Sequence, residues 1–353
     1  MERKNYRKMI DRKKLKKRVL IFLVLPLFLL GTSTVVYATY LYKQAQSAVN
    51  KSYDDLNRNQ SDIRDQMVDP ATDDVSILFL GVDSSDSRES QGMTSDNSRT
   101  DAMVLATLNN EKKSVNLVSI PRDTLTYIPE VGYEDKIAHA HAFGGPQASM
   151  ETVESLLDVP VDYYVRMNFN AFIDVVNSLD GVSIDVPFEF FEQDSSDKKD
   201  AIHLLPGMQT LDGEEALAFA RTRYYDNDIE RGKRQVELIE AIMDKSTSAT
   251  SINKYSSVIQ AVGQNLKTNL TFDEMKSFIS YAVSSDLSVE NLSFQGEDTS
   301  IDGIYYYQPD ITEIWSLQET LKNHLGLNDT DSTSPSTDNE NDVGISQSTQ
   351  NDW

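Results

Sequence analysis

Three short apolar runs dominate the first half of the chain: VSILFLG (75–81), AMVLATL (102–108) and SVNLVSI (114–120), each ending in turn signals. Their length and lack of a helical period predict buried strands. Residues 84–98, between the first two, are rich in Ser, Asp and Asn and carry no core-forming pattern. They predict a long loop, and long loops in compact domains are frequently functional. Downstream, the pattern predicts a helix over 146–158 and a strand over 161–167. A helix over 169–179, stopped by Gly181, and a strand over 182–188 follow. DGEEALAFA (212–220) reads as a helix start, and 230–245 is strongly amphipathic. Helices over 253–266 and 272–284, strands over 287–294 and 303–308, and a last helix over 310–325 complete the series. Strands alternating with helices predict an α/β domain with a mixed central sheet flanked by helices, without internal repeats.

The ends have a different texture. Val19 to Tyr42 is a stretch of 24 residues without a charge. As a helix it would span roughly 36 Å, against about 30 Å of bilayer hydrocarbon. Pro26 is tolerable in a membrane helix. Residues 1–18 carry ten Lys or Arg against Glu2 and Asp11, so the positive-inside rule places the N-terminus in the cytoplasm. A cleaved signal peptide, with Val36-Tyr37-Ala38 as the cleavage site, is the rival reading; the apolar run is long for it. The expected organisation is a basic tail (1–18), a transmembrane helix (19–42), a polar stalk (43–73), an extracellular domain (74–327) and an acidic disordered tail (328–353). That makes a single-pass protein of the cell membrane with its domain outside.

Net charge sharpens this picture. The whole chain is at −23, and because the first 18 residues sum to +8, the remaining 335 sum to −31. An ectodomain so acidic argues against nucleic acid as a partner. There is no cysteine, so the exported domain is stable without disulfides and has no thiol chemistry.

Arginine is the informative residue type. In an acidic domain, Arg is expected to scatter over the surface, yet here several sit at the ends of apolar runs. Arg99 and Asp101 enter one predicted strand; Arg122 and Asp123 leave another; Arg221 and Arg223 follow ALAFA; Arg231, Arg234 and Gln235 open a helix. Arg231 and Gln235, four apart, share a helix face. A cation in the first turn opposes the helix dipole unless an anion sits there. Planar guanidinium forks match phosphate oxygens. Asp83, Asp101 and Asp228 accompany them, and carboxylates with phosphate oxygens are a typical magnesium environment. Each Arg–Asp neighbourhood taken singly also reads as a surface ion pair, and Asp228 as a helix N-cap. The residues alone define an anion site, with the metal left open. His139 and His141 form an H-x-H pair without a third metal ligand at suggestive spacing, His203 and His324 stand isolated, and Tyr305–Tyr307 reads as a packed aromatic strand.

Taken in order, FLGVD (79–83), RTDAMVLATLN (99–109), VSIPRDT (118–124), KIAHAHAFGG (136–145), DYYVRMNFNAF (162–172), LDGVSIDV (179–186), LDGEEALAFARTR (211–223) and DIERGKRQ (228–235) resemble the LytR-CpsA-Psr family of cell-envelope proteins. The resemblance implies an α/β/α fold with a hydrophobic tunnel for a polyprenyl chain. It implies a phosphotransferase that moves a glycopolymer, of teichoic acid or capsular polysaccharide type, from undecaprenyl pyrophosphate to peptidoglycan, forming a phosphodiester at the 6-hydroxyl of N-acetylmuramic acid. It assigns pyrophosphate binding to Arg99, Arg122, Lys136, Arg221, Arg223, Arg231 and Gln235, and Mg2+ to Asp83 and Asp101, with Asp228 nearby. Arg99, Asp101, Arg122 and Asp228 are the expected catalytic group, Asp101 or Asp228 taking the acceptor's proton. The expected setting is a Gram-positive envelope. Two departures stand out: the loop after Asp83 is long, and Ala138 follows Lys136-Ile137 where many relatives have Asn.

Other classes fit less well. A transcriptional regulator would need a reading domain, and about 18 cytoplasmic residues are too few. A non-catalytic lipid binder would need the arginines but not both Asp83 and Asp101. A polyprenyl pyrophosphatase, with water as acceptor, fits the same residues.

Overall fold

The computed structural model describes residues 35–56, 58, 60–82, 98–223, 228–247, 266–278, 281 and 287–328, the side chains of 228 and 247 aside. The described chain opens in a helix, α1 (35–52), and among the described residues no helix is long and apolar enough to cross a membrane. Residues 19–34 of the expected anchor, most of the tail and residues 84–97 of the predicted loop lie outside the described residues.

Six strands form the central sheet in the order β11-β6-β1-β2-β3-β12. They are β1 (Val75–Val82), β2 (Thr100–Asn109), β3 (Ser114–Ser119), β6 (Tyr163–Asn168), β11 (Leu266–Thr268) and β12 (Ser288–Leu292). β1, β2 and β3 form an antiparallel meander. β6 joins β1 in parallel, and β12 joins β3 in parallel. The sheet is therefore mixed, as predicted.

The apolar runs are continuous because both faces are covered. On one face Leu78, Leu80, Met103, Leu105 and Val118 pack under Met150, Val153 and Leu157 of α2 (His139–Leu157) and Ile314, Leu317 and Leu321 of α7 (Ile311–His324). On the other, Ile77, Val104, Ala106 and Leu117 meet Val236 of α5 (Asp228–Thr247). Alternate residues of one strand thus feed two different layers. A second apolar cluster gathers Val176 of α3 (Phe169–Ser178), Ala216 and Phe219 of α4 (Gly213–Arg221), and Leu238 of α5. Its floor is the ribbon β7 (Val182–Val186) with β10 (Gly207–Leu211), beside the hairpin β8 (Phe190–Glu192) with β9 (Ile202–Leu204).

Two hairpins flank the sheet's outer end: β4 (Leu125–Ile128) with β5 (Tyr133–Lys136), and β13 (Gly296–Ile301) with β14 (Ile304–Pro309). A bridge between Thr124 and Tyr307 joins them. The short helix α6 (Phe272–Ser277) carries a capping box from Thr271 and Glu274.

Several predicted elements need correction. α2 starts at His139, seven residues earlier than expected, and carries a kink at Gly144 and Gly145 ahead of Pro146. Glycine pairs and proline are the usual causes of a kink. Leu266, expected to end the helix over 253–266, instead opens β11, while 253–265 lie outside the described residues. The helix expected over 272–284 is described only as α6 and Tyr281. Residues 53–74 also do more than link: Arg64 forks onto Asp162 at 3.0 and 2.7 Å, and Arg58 Nη2 donates to Glu154 at 2.5 Å.

Candidate functional site

The space between the sheet and helices α3, α4 and α5 is not filled. A cavity of about 330 Å³ lies there, lined from the sheet by Phe79, Val104, Val165 and Met167 and from the helices by Phe172, Val175, Leu217, Leu238, Ile239 and Ile242. That volume suits a small-molecule ligand. Its walls, among the described residues, are almost wholly apolar, a lining that suits hydrocarbon. Among the described residues, Asp101, Asn168, Arg221 and Gln235 bring polar groups to its lining. Asn168 uses its side chain to cap α3, accepting from the Ala171 N–H at 2.9 Å.

Arg221, in the last turn of α4, lies with its guanidinium 4.7 Å from the centroid of Phe169. Stacking on the ring holds the fork at the cavity wall by a cation–π contact. Gln235, on α5, donates to the Ala220 carbonyl at 3.4 Å. Arg234 beside it is buried and donates to the carbonyls of Phe219 (3.1 Å) and Thr222 (2.5 Å). It closes the C-terminal end of α4, where exposed carbonyls and the helix dipole favour a cation. The structure thus separates two neighbours: Arg234 supports the fold, and Gln235 faces the cavity.

A chain of charges runs from the cavity rim. Arg122 Nη1 donates to Asp101 Oδ1; Arg122 Nε is 3.5 Å from Asp123 Oδ2; Lys136 Nζ donates to Asp123 Oδ1 at 2.7 Å. Backbone pairing makes this possible. The Ala138 N–H donates to the Arg122 carbonyl (3.1 Å), and the Thr100 N–H to the Ala138 carbonyl (3.3 Å). Residue 138 is thereby clamped between the start of β2 and the exit of β3. Ala138 makes these links through its backbone while its methyl is buried.

Gly232 brings α5 to the same place. A Cβ on it would lie 2.2 Å from Ser119 Oγ, so only glycine lets the first turns of α5 abut the end of β3. Arg231 is buried there.

The predicted residues sort accordingly. Asp101, Arg221 and Gln235 line one cavity; Arg122 and Lys136 join Asp101 through the ion-pair chain. Arg99, just before β2, and Arg223, just after α4, are exposed. Asp228 is the first residue of α5, its side chain outside the described residues, as is Asp83. Sequence reasoning gave no role to Asp123, which bridges two cations, or to Phe169 and Phe172. The spacing of the two phenylalanines on α3 was the available signal. The H-x-H pair divides: His141 is fully buried and donates to the Ser98 carbonyl at 2.7 Å, whereas His139 is partly buried with Nδ1 2.7 Å from Asp135. Among the described residues no group of three or more His, Cys, Asp or Glu could hold a metal.

An apolar cavity with guanidinium, amide and carboxylate groups on its rim can take a ligand with an apolar tail and an anionic head. Comparison with known proteins agrees. Residues 38–323 match the LytR_cpsA_psr family, and the chain belongs to that family. The polyisoprenyl-teichoic acid–peptidoglycan teichoic acid transferase TagT of Bacillus subtilis is 40% identical over 329 residues, spanning 93% of this chain and all of the relative. A protein of Staphylococcus aureus described as uncharacterized is 45% identical over 307 residues, spanning 87% of this chain and 76% of the relative. Among solved structures, TagT bound to LI-WTA is 39% identical with a TM-score of 0.66, and TagT with bound octaprenyl pyrophosphate lipid is 37% identical with a TM-score of 0.62. Each covers 77% of this chain and 98% of the other.

Proposed function

We propose that this protein transfers a teichoic-acid-type glycopolymer from a polyprenyl pyrophosphate carrier to peptidoglycan through a phosphodiester bond. The carrying observation is the apolar cavity whose lining includes Asp101, Arg221 and Gln235, with Arg122 paired to Asp101 at its rim. The cavity takes the prenyl chain. Arg221, Arg122 and Gln235 take the pyrophosphate oxygens, with Arg99, Arg223, Arg231 and Lys136 adding positive charge around them. Breaking the pyrophosphate places charge on the departing polyprenyl phosphate, and positioned guanidinium groups stabilise that charge. Asp101 or Asp228 accepts the proton of the acceptor hydroxyl.

Magnesium fits the donor set. This ion takes oxygen ligands, needs only one or two carboxylates, and completes its shell with waters and substrate phosphates. Asp101, with Asp83, would hold it and neutralise pyrophosphate charge. An anchor formed by residues 19–42 would keep the domain on the outer face of the cell membrane, where polyprenyl donors lie.

The reading is tested with the full-length protein in detergent. A short polyprenyl pyrophosphate should bind, and the matching polyprenol, without the pyrophosphate, should bind far more weakly. Equal affinity for the two would remove the anion site from the account. Chelation should abolish transfer, with magnesium restoring it in the parent protein and poorly in Asp101→Asn.

A further inference from the structure

The ion-pair chain does not stop at Lys136. Its ammonium sits over two tyrosine rings of β14, 5.7 Å from the centroid of Tyr305 and 5.5 Å from that of Tyr306. From Tyr306, whose hydroxyl donates to Asp135, the aromatic surface continues to His139, which Asp135 also holds. His139 and Phe143 stand edge to face at 6.2 Å, and Phe143 and Tyr133 at 6.3 Å. Tyr133 is 50%, Tyr305 42% and Phe143 40% exposed. Most of the polar groups along this strip are acidic: Asp135 holds His139 at 2.7 Å, Asp298 accepts from the Tyr305 hydroxyl at 2.8 Å, and Glu130 packs beside Gly144.

The strip is built rather than incidental. β4 and β5 form one hairpin and β13 and β14 another. The Thr124–Tyr307 bridge and the Tyr307 N–H bonded to the Asp123 carbonyl at 2.8 Å lock them together. Tyr307 turns inward, buried against Phe294 at 6.2 Å, and donates to the Phe294 carbonyl at 3.2 Å. It thereby fixes the strand that presents Tyr305 and Tyr306. The same Asp123 that anchors this strand through its carbonyl joins Lys136 to Arg122 through its carboxylate. The strip therefore begins where the anion site ends.

Exposed aromatic rings flanked by carboxylates suit sugar rings, whose C–H faces lie on aromatic surface while their hydroxyl and amide groups meet polar side chains. Charge selects among glycans. A polyol-phosphate polymer carries one negative charge per repeat, and Glu130, Asp135 and Asp298 would repel it. A strand of N-acetylated amino sugars presents uncharged ring faces to the same surface.

We infer that the strip formed by Tyr305, Tyr306, His139, Phe143 and Tyr133 binds the sugar chain of the peptidoglycan acceptor and leads one of its hydroxyls toward Arg122 and Asp101. This inference rests on the transfer reaction proposed above. It names the surface that selects the acceptor.

The test uses full-length protein in detergent and three probes: a soluble tetrasaccharide of alternating N-acetylglucosamine and N-acetylmuramic acid with its lactyl carboxyl groups capped as amides, as they are in peptidoglycan, a ribitol phosphate oligomer, and a short polyprenyl pyrophosphate. Tyr133→Ala and Phe143→Ala each change an exposed side chain, and circular dichroism and melting temperature check that the fold is kept. The inference expects tetrasaccharide affinity to fall ten-fold or more in each variant, with polyprenyl pyrophosphate affinity unchanged. Unchanged tetrasaccharide affinity in both variants, or no binding by the parent protein, overturns it. Loss of ribitol phosphate binding in place of sugar binding also overturns it, because the strip would then belong to the donor polymer. Failure of the parent protein to bind polyprenyl pyrophosphate would instead sink the proposed function and leave the sugar result standing on its own.

Discussion

Arg122 donates to Asp101 across the gap between the exit of β3 and the start of β2, and this pair stands where the apolar cavity meets the charged rim. Both side chains keep about a third of their surface, 33% for Arg122 and 27% for Asp101, so solvent screens the pair and it contributes little to the fold. Arg122→Ala should therefore leave stability within about 1 kcal/mol of the parent. Transfer should fall steeply, since a lost charge-assisted fork costs about 1.5–3 kcal/mol and more where charge builds up. Arg122→Lys should recover part of the rate, because an ammonium cannot make a planar fork. Full recovery would mean that any positive charge suffices.

Arg234 should behave in the opposite way. Its guanidinium is buried and serves the carbonyls of Phe219 and Thr222 at the end of α4. Arg234→Ala strips both carbonyls of a charged donor, at about 1.5–3 kcal/mol. Urea unfolding should show that loss directly. A variant as stable as the parent would contradict this structural role for Arg234.

The segment before β1 carries part of the stability. Asp162 accepts the Arg64 fork and, at Oδ2, the Ser76 N–H at 2.9 Å. The side chains are 11% and 3% exposed, so removing Arg64 leaves a buried carboxylate short of its cation. Arg64→Ala should cost about 3 kcal/mol or more. A chain beginning at residue 70 should melt well below one beginning at residue 44. Equal melting temperatures would show residues 53–69 to be a mere tether.

His324 predicts a pH dependence. Burial is the largest influence and lowers its pKa from 6.5; Lys112 adds to this, while Asp74 and Glu290 oppose it. The ring is neutral, between Thr107 Oγ1 at 2.9 Å and Ser114 Oγ at 2.8 Å. The unfolded chain therefore takes up this proton at higher pH than the folded one does. His324 contributes fully above about pH 6.5, and the contribution shrinks as pH falls from there toward the lowered folded value. His324→Gln should be less stable at pH 8 and should flatten the decline between pH 7 and 5, as read from urea midpoints. A parent protein with constant midpoints over that range would contradict this.

The strands of the meander were readable because both faces of β1, β2 and β3 are buried and their residues are almost uniformly apolar. The hairpins β4–β5 and β8–β9 and the strand β13 were not, because they alternate too briefly to leave a period, whereas β14 falls on the strand expected over 303–308. The order of the sheet, with β6 beside β1 and β12 beside β3, arises from long-range pairing that local pattern does not encode. At the site, arginines at the ends of apolar runs pointed to an anion-binding rim, and two of them, Arg221 and Arg122, stand at the cavity and beside Asp101. The same signal could not separate Arg234 from Arg231 and Gln235, since a cation at a helix C-terminus and a cation facing a ligand look alike in one dimension. The cavity was expected from the family resemblance alone, because Phe79, Val165 and Phe172 carry the same apolar signature whether they fill a core or line a space.

The most direct measurement follows both products of one reaction. Full-length protein is incubated with peptidoglycan, magnesium and a polyprenyl pyrophosphate donor labelled in its glycopolymer, and released polyprenyl phosphate is counted against label bound to peptidoglycan. The account predicts that the two appear one for one, and that Arg221→Ala, which removes the guanidinium stacked on Phe169, abolishes both together. Polyprenyl phosphate released without label on peptidoglycan would instead make the protein a pyrophosphatase, and undiminished transfer by Arg221→Ala would contradict the assignment of this cavity as the donor site.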